Sequence, residues 1–252
     1  MTTVSRSLTD IHPDMTLDEA YAVQLHQVRH WVGEGRRIRG HNVGLTSAVM
    51  QRQLGVDQPD YGHLTDDMFY LESLPIPLDR FIIPKVKPEI AFVLKKPLTG
   101  PGVTAADAPS AVDYALPALE IIDSRIRDWK ITLADTTADN ASSGGVVLGS
   151  TPVRLSQLTQ SGLSLRTMGC VVHQGGQDGG HGRRRRSARV SAQRLGVAGE
   201  HRRPARHHPG GRVGDHAGIG DRGRPVAGGD SVTATFAGLG SVTADFAESK
   251  EK

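Results

Sequence analysis

The chain is poor in cysteine, in aromatic residues and in long apolar runs. Its single cysteine, Cys170, excludes an internal disulfide and fits a reducing compartment. No apolar run approaches the ~20 residues that a membrane-spanning helix needs. The opening MTTVSRSLTDIHPD carries no apolar stretch of the kind a secretory signal has. These absences lead to the expectation of a cytoplasmic protein without a membrane partner. Hydrophobic residues make up 37% of the 252 and aromatic residues 4%, little for a domain that must close a full core.

The shortage is uneven. Between Gln177 and Arg224 there are twelve arginines, no lysine, four acids, eleven glycines, five histidines, five Val/Leu/Ile residues and no aromatic. That segment carries +8, so the remainder of a chain with a total of +3 carries −5. The basic character belongs to one segment and says little about the rest.

Elsewhere the pattern reads as α+β. TLDEAYAVQLHQVRHWV (16–32) predicts an amphipathic helix, with Thr16 and Glu19 as a capping box and Gly33 and Gly35 as the stop. A second helix is expected from Thr46 or Ser47 to Gly55, and PDYGHL (59–64) reads as turn. FIIPKVKPEIAFVL (81–94) reads as a strand that Pro84 and Pro88 would confine to an edge or a bulge. Residues 104–115 read as helix, and PALEIIDSRI (117–126), SGGVVLG (143–149) and MGCVVH (168–173) as strands. GDSVTATFAGLGSVTADF (229–246) has the alternation and Gly-rich turn of a hairpin.

Several acids lie on or beside these strands: Glu89, Glu120, Asp123, Asp135 and Asp139. Hard divalent cations take oxygen ligands of this kind from separate strands. Strand acids also commonly face water or pair with arginine. Glu120, flanked by Leu119, Ile121 and Ile122, points to a partly buried position, where an unpaired carboxylate is costly.

GHNVGLTSAVMQRQLGVDQPDYGHL, PEIAFVL, ALEIIDSRI and DTTADNASSGGVVLG, in that order, resemble the 2-keto-4-pentenoate hydratase / 4-oxalocrotonate decarboxylase family of the fumarylacetoacetate hydrolase superfamily. The resemblance covers about residues 10–173 and 225–246. It implies a mixed β-roll with N-terminal helices, divided into an N-terminal part (1–80) and a catalytic part (81–252). It implies Mg²⁺ or Mn²⁺ held by acids, and a homo-oligomer acting on a small 2-oxo or 2-hydroxydienoic acid, with no nucleic-acid partner. The implied reaction is hydration of 2-hydroxypenta-2,4-dienoate in the meta-cleavage breakdown of aromatic compounds, with 4-oxalocrotonate decarboxylation as the alternative. Carried onto this chain, the metal ligands are Glu89 and Glu120. The third ligand position, the first acid of an E-x-E motif, falls on Lys87, where an ammonium replaces a ligand. Asn42, a candidate catalytic position, stands where the family reads GHKVGL; the lysine there is the candidate for polarising a substrate oxygen, and Asn keeps hydrogen bonding but loses the charge. Asp60 is the candidate proton-transfer group, or equally a turn aspartate capping its own backbone. Ser142 is a candidate for the substrate carboxylate, or a turn serine.

The Arg-rich segment fits no part of this family. A nucleic-acid-binding reading has arginines in its favour but no base-stacking aromatics and no known module. Disorder is a second reading. A one-nucleotide frameshift compensated before Pro225 explains more. With free choice of wobble bases, it turns QDGGHGRRRRSAR into KMVATGAGAAALG and VSAQRLGVAGEHRRP into SPLNALAWLANTVGP, strings that look like the family's missing C-terminal region. Residues 177–224 are therefore expected to contribute no packed element, and the chain as written to be an inactive remnant.

Overall fold

The computed structural model describes residues 4–46, 51–52, 56, 58–104, 106–165, 168–175, 184–188, 194–197 and 223–248. Its centre is a mixed sheet. β1 (Ile38–Gly44), β2 (Asp60–Thr65), β3 (Phe69–Tyr70), β4 (Lys85–Leu94), β5 (Val112–Ile122) and β6 (Ser143–Leu148) combine with β9 (Arg194–Val197) in the order β2-β1-β9-β4-β5-β6-β3, and β10 (Arg224–Pro225) pairs with β4. Strands from the first 80 residues and from the rest of the chain share this sheet. A second sheet runs β12-β11-β7-β8, from β7 (Cys170–Gly175), β8 (Arg184–Ala188), β11 (Ser231–Phe236) and β12 (Gly240–Asp245).

Side-chain alternation divides the interior. On β5, Ala115, Leu119 and Ile121 join Val86, Ile90 and Phe92 of β4 against Val172, Val232, Ala234, Phe236, Val242 and Ala244 of the second sheet. The opposite face of the same strands, Ala91, Leu116 and Ala118, packs with Leu64, Met68 and Val146. Because alternate residues share a face, Lys87 and Glu89 lie with Ala91, and Glu120 with Leu116 and Ala118. The sheet curls until its β2-β1 end meets β5 and β6. Asn42 of β1 bonds Glu120 and Ser143, and Gly62 of β2 lies against Asn140 and Ser143.

α1 (Leu8–Ile11) and α2 (Leu17–Gly33) precede the sheet. α2 begins with the expected capping box of Thr16 and Glu19 and buries Ala20, Gln24 and Val28. It rests on a later helix, Leu133–Ala138, through Gln24 Nε2, which donates to Thr137 O at 2.8 Å, and Gln27 Nε2, which donates to Ala138 O at 3.2 Å. β6, β7 and the β11–β12 hairpin form where the sequence predicts them.

Three expectations are corrected. Residues 59–64, read as turn, lie from Asp60 onward in strand β2; Gly62 serves a close approach, since a Cβ there would sit 2.3 Å from Asn140 O. β4 is no edge strand: it pairs along its length with β5, and on its other side with β10 at Lys85–Val86 and with β9 at Ile90–Val93. Pro88, lacking an N–H, falls in the interval between those two partners. The helix expected over 104–115 is confined to Asp107–Ala111, and β5 starts at Val112, where pairing with Leu94 and Val93 of β4 overrides local propensity. Within 177–224, the backbones of 184–188 and 194–197 are strands, the second paired with both β1 and β4. The remainder of that segment up to residue 222 lies outside the described residues, as does most of the helix expected before Gly55.

Candidate active site

Of the residues singled out from the sequence, Asn42, Lys87, Glu89 and Glu120 meet where the curled sheet closes. Glu120 is 1% exposed and Glu89 3% exposed. Lys87, opposite Glu120 in the β4–β5 register, places its Nζ 3.0 Å from Glu120 Oε2 and 3.4 Å from Glu89 Oε1. Asn42 Nδ2 donates a short hydrogen bond to Glu120 Oε1 and a longer one, 3.3 Å, to Ser143 Oγ. Both oxygens of Glu120 are thus engaged, one by an amide and one by an ammonium.

Asp60, buried at the start of β2, lies opposite Gly44 of GHNVGL. A Cβ on Gly44 would lie 2.3 Å from Asp60 Oδ1, so glycine there makes room for the carboxylate. Tyr21 of α2 stacks on Tyr61 with ring centroids 4.7 Å apart. Burial, with the Asp60 charge added, pushes its phenol well above the ordinary range. Beside this pair, burial and the neighbouring His41 push the His63 imidazole down to about 4. Its Nδ1 lies 3.1 Å from Gln24 Oε1.

Residues 140–142 make a tight turn in which Asn140, Ala141 and Ser142 all adopt left-handed backbone conformations, φ between 53° and 57°. The turn is held by Asn140, whose Nδ2 donates to His63 O at 2.9 Å and whose Oδ1 accepts from His63 N at 2.8 Å. Ser142 N also donates to Asp139 O, and Asp123 N to Ser142 O. The Ser142 hydroxyl lies 3.1 Å from Thr136 Oγ1. The serine bonded to the Asn42–Glu120 pair is its neighbour Ser143, which sequence reasoning missed.

The other acids have structural partners. Asp123 accepts the N–H groups of Ile82 and Ile83. Burial pushes the Asp139 carboxyl up, opposed by its ion pair with Arg125. Burial also acts to raise Asp135, but bonds from Thr132 and Thr9 more than offset it and hold the group below its usual range. Cys170 is buried, its thiol pushed up to about 12, and is unsuited to nucleophilic work. A cavity of about 570 Å³ is lined by Trp31, Arg36, Arg80, Arg125, Asp139 and Ser143 among others. Lys87, Glu89 and Glu120 do not line it; Ser143 links it to the carboxylate cluster.

The TodF product hydratase of Pseudomonas putida F1 is 44% identical over 236 residues, which cover 92% of this chain and 85% of that protein. The chain belongs to the 2-keto-4-pentenoate hydratase / 4-oxalocrotonate decarboxylase family. Within the family, a 2-keto-4-pentenoate hydratase of Paraburkholderia xenovorans LB400 is 47% identical over 170 residues, 68% of this chain but 61% of that protein. Among solved structures, 4-oxalocrotonate decarboxylase from Pseudomonas putida G7, complexed with magnesium and adipate, superposes with a TM-score of 0.72 at 29% identity, covering 97% of this chain and 91% of that one. The same decarboxylase has been solved with calcium and acetate. No protein-family model matches the chain.

A divalent ion does not fit the cluster of Lys87, Glu89 and Glu120 as this chain builds it. Hard cations take several oxygen ligands, and here two carboxylates converge on a lysine ammonium. Among the described residues, no group of three or more His, Cys, Asp or Glu side chains could hold a metal. Among them, too, no helix is long and apolar enough to cross a membrane.

Proposed function

We propose that this chain is built as a hydratase of the lyase class, whose reaction adds water to 2-hydroxypenta-2,4-dienoate to give 4-hydroxy-2-oxopentanoate, and that Lys87 holds the site shut. The observation that carries this reading is Glu120. It is the buried acid of the ALEIIDSRI strand, set against Asn42 of GHNVGL, but with both oxygens already bonded. The family relationship gives the reaction class, and the P. xenovorans relative bears the name of the keto tautomer of this substrate.

Hydration requires a hydroxyl at C4 and protons moved to carbon, so it needs a placed base and acid. Asp60 is the group assigned to proton transfer. It is buried beside the Tyr21 phenol, in a strand that closes on the Ser143 turn. Ser142 and Ser143 are the hydroxyls assigned to the substrate carboxylate. Asn42 keeps a donor near the substrate oxygen but brings no charge. No step is assigned to Mg²⁺ or Mn²⁺, because Lys87 stands in the ligand set. The decarboxylase reading is supported by the solved P. putida G7 neighbour. It differs in its product, CO₂.

The test follows loss of dienoate absorbance for three proteins. They are the chain as written, Asn42→Lys with Lys87→Glu, and that double variant with the reading frame restored across 177–224. Turnover is expected in the third alone. Substantial turnover by the chain as written overturns the shut-site reading. A folded but inactive third protein overturns the hydratase assignment, and CO₂ release from 4-oxalocrotonate would then move it to the decarboxylase.

A further inference from the structure

Two carboxylates buried to 1% and 3% exposure require a compensating positive charge, since an isolated buried charge is very costly. In this chain the charge is covalent. Lys87 lies two residues from Glu89 on one strand and directly opposite Glu120 on the next, so β-sheet geometry delivers its stem to the same face as both acids. Its ammonium touches both, at 3.0 and 3.4 Å, and the residue is itself only 8% exposed. Asn42 occupies the remaining Glu120 oxygen.

We infer that Lys87 is a built-in cation that makes the Glu89–Glu120 pair independent of divalent metal, and that this one side chain separates a closed ion-pair cluster from a divalent-cation site. The inference goes beyond the hydratase reading and stands on geometry alone. A metal approaching the pair meets an ammonium already between the two carboxylates, and like charges repel. Removing the ammonium opens both acids. Replacing it with a carboxylate adds a third oxygen donor on the same face and leaves a concentration of negative charge that only a cation can relieve. The cluster would then take a hard, oxygen-preferring ion such as Mn²⁺.

The experiment titrates Mn²⁺ alone into the full chain and reads the loss of the free-ion electron paramagnetic resonance signal. Thermal unfolding is followed in parallel with chelator or with excess Mn²⁺. Neither readout depends on turnover, so failure here is distinguishable from failure of the hydratase assignment. The chain as written is expected to show no saturable binding and the same Tm in chelator and in Mn²⁺. Lys87→Glu is expected to bind one Mn²⁺ at least ~10-fold more tightly and to gain Tm with the ion, because a ligand selective for the native state stabilises it. Saturable binding by the unaltered chain that Glu120→Gln abolishes would overturn the inference. So would absence of binding in folded Lys87→Glu. Should Lys87→Glu fold only when Mn²⁺ is present, the inference is supported. Should it not fold at all, Lys87→Met decides: it leaves both acids without the ammonium, and Mn²⁺ binding above that of the unaltered chain supports the inference while its absence overturns it.

Discussion

Replacing Lys87 with methionine keeps much of the side chain's volume and removes its charge and its N–H donors, so the variant measures what the ammonium does for the fold. At 3.0 and 3.4 Å, and at an effective dielectric of about 20, its attraction to each carboxylate is roughly 5 kcal/mol. Mutual repulsion of the acids and lost hydration offset much of this, and breaking a buried pair from one side typically costs about 3–5 kcal/mol. That is a large part of the ~5–15 kcal/mol that holds a domain folded. With a urea slope of about 3 kcal/mol/M, the unfolding midpoint should fall by roughly 1 M or more. Glu120→Gln and the Lys87→Met/Glu120→Gln double variant complete a thermodynamic cycle. Neutralising Glu120 removes one of the two charges that Lys87→Met strands, so the double variant should be more stable than the sum of the single changes by ~1–3 kcal/mol. A coupling near zero, together with a cost below about 1 kcal/mol for Lys87→Met, would refute the assignment of Lys87 as the charge that balances the two acids.

Three further outcomes are expected. His63 has a folded-state pKa of about 4 against an ordinary 6.5, so the unfolded chain binds the proton more readily between those values. Its contribution is intact above pH 6.5 and is lost as pH falls towards 4, an effect on the order of 3 kcal/mol that His63→Gln should remove from urea-unfolding curves measured across that window. Asn140→Ala deletes both bonds to the His63 backbone and the side chain best suited to a left-handed residue; a loss of about 2–3 kcal/mol in the same assay is expected, and a loss below ~0.5 would count against the clamp. Gly62→Ala would set a methyl 2.3 Å from a backbone oxygen and 2.7 Å from Ser143 Oγ, and should cost about 3 kcal/mol by calorimetry or urea unfolding.

Much of this was legible in the sequence wherever alternation and burial coincide. The apolar neighbours of Glu120 pointed to a buried position, which it has, while Lys87 and Glu89 were reached through the family resemblance and share one face of β4 because they are two residues apart. The capping box of α2 and the final hairpin are local signals and formed as written. What escaped is set by distant contacts. Gly62 looks like a turn residue in isolation, yet it is a strand residue whose missing side chain admits the 140–143 backbone. Pro84 and Pro88 suggested an edge, but the outer partners of β4 come from residues 194–197 and 224–225, more than a hundred residues later. Ser143 was passed over for Ser142 because three consecutive positive φ angles redirect the chain just before β6, and nothing in DNASSGG announces them.

Those three left-handed residues bear on the order in which the molecule assembles. Each is disfavoured for an L-residue by roughly 1–2 kcal/mol, so an isolated 139–143 segment will rarely visit the conformation. The bonds that repay the cost come from His63, 77 residues earlier in the chain. The turn gains those two bonds only when β2 has been brought across to it, a long-range closure that folds slowly. The hydroxyls of residues 142 and 143 are consequently set late, and a chain interrupted before that closure has its two glutamate-bearing strands paired but lacks the Asn140 clamp beside them.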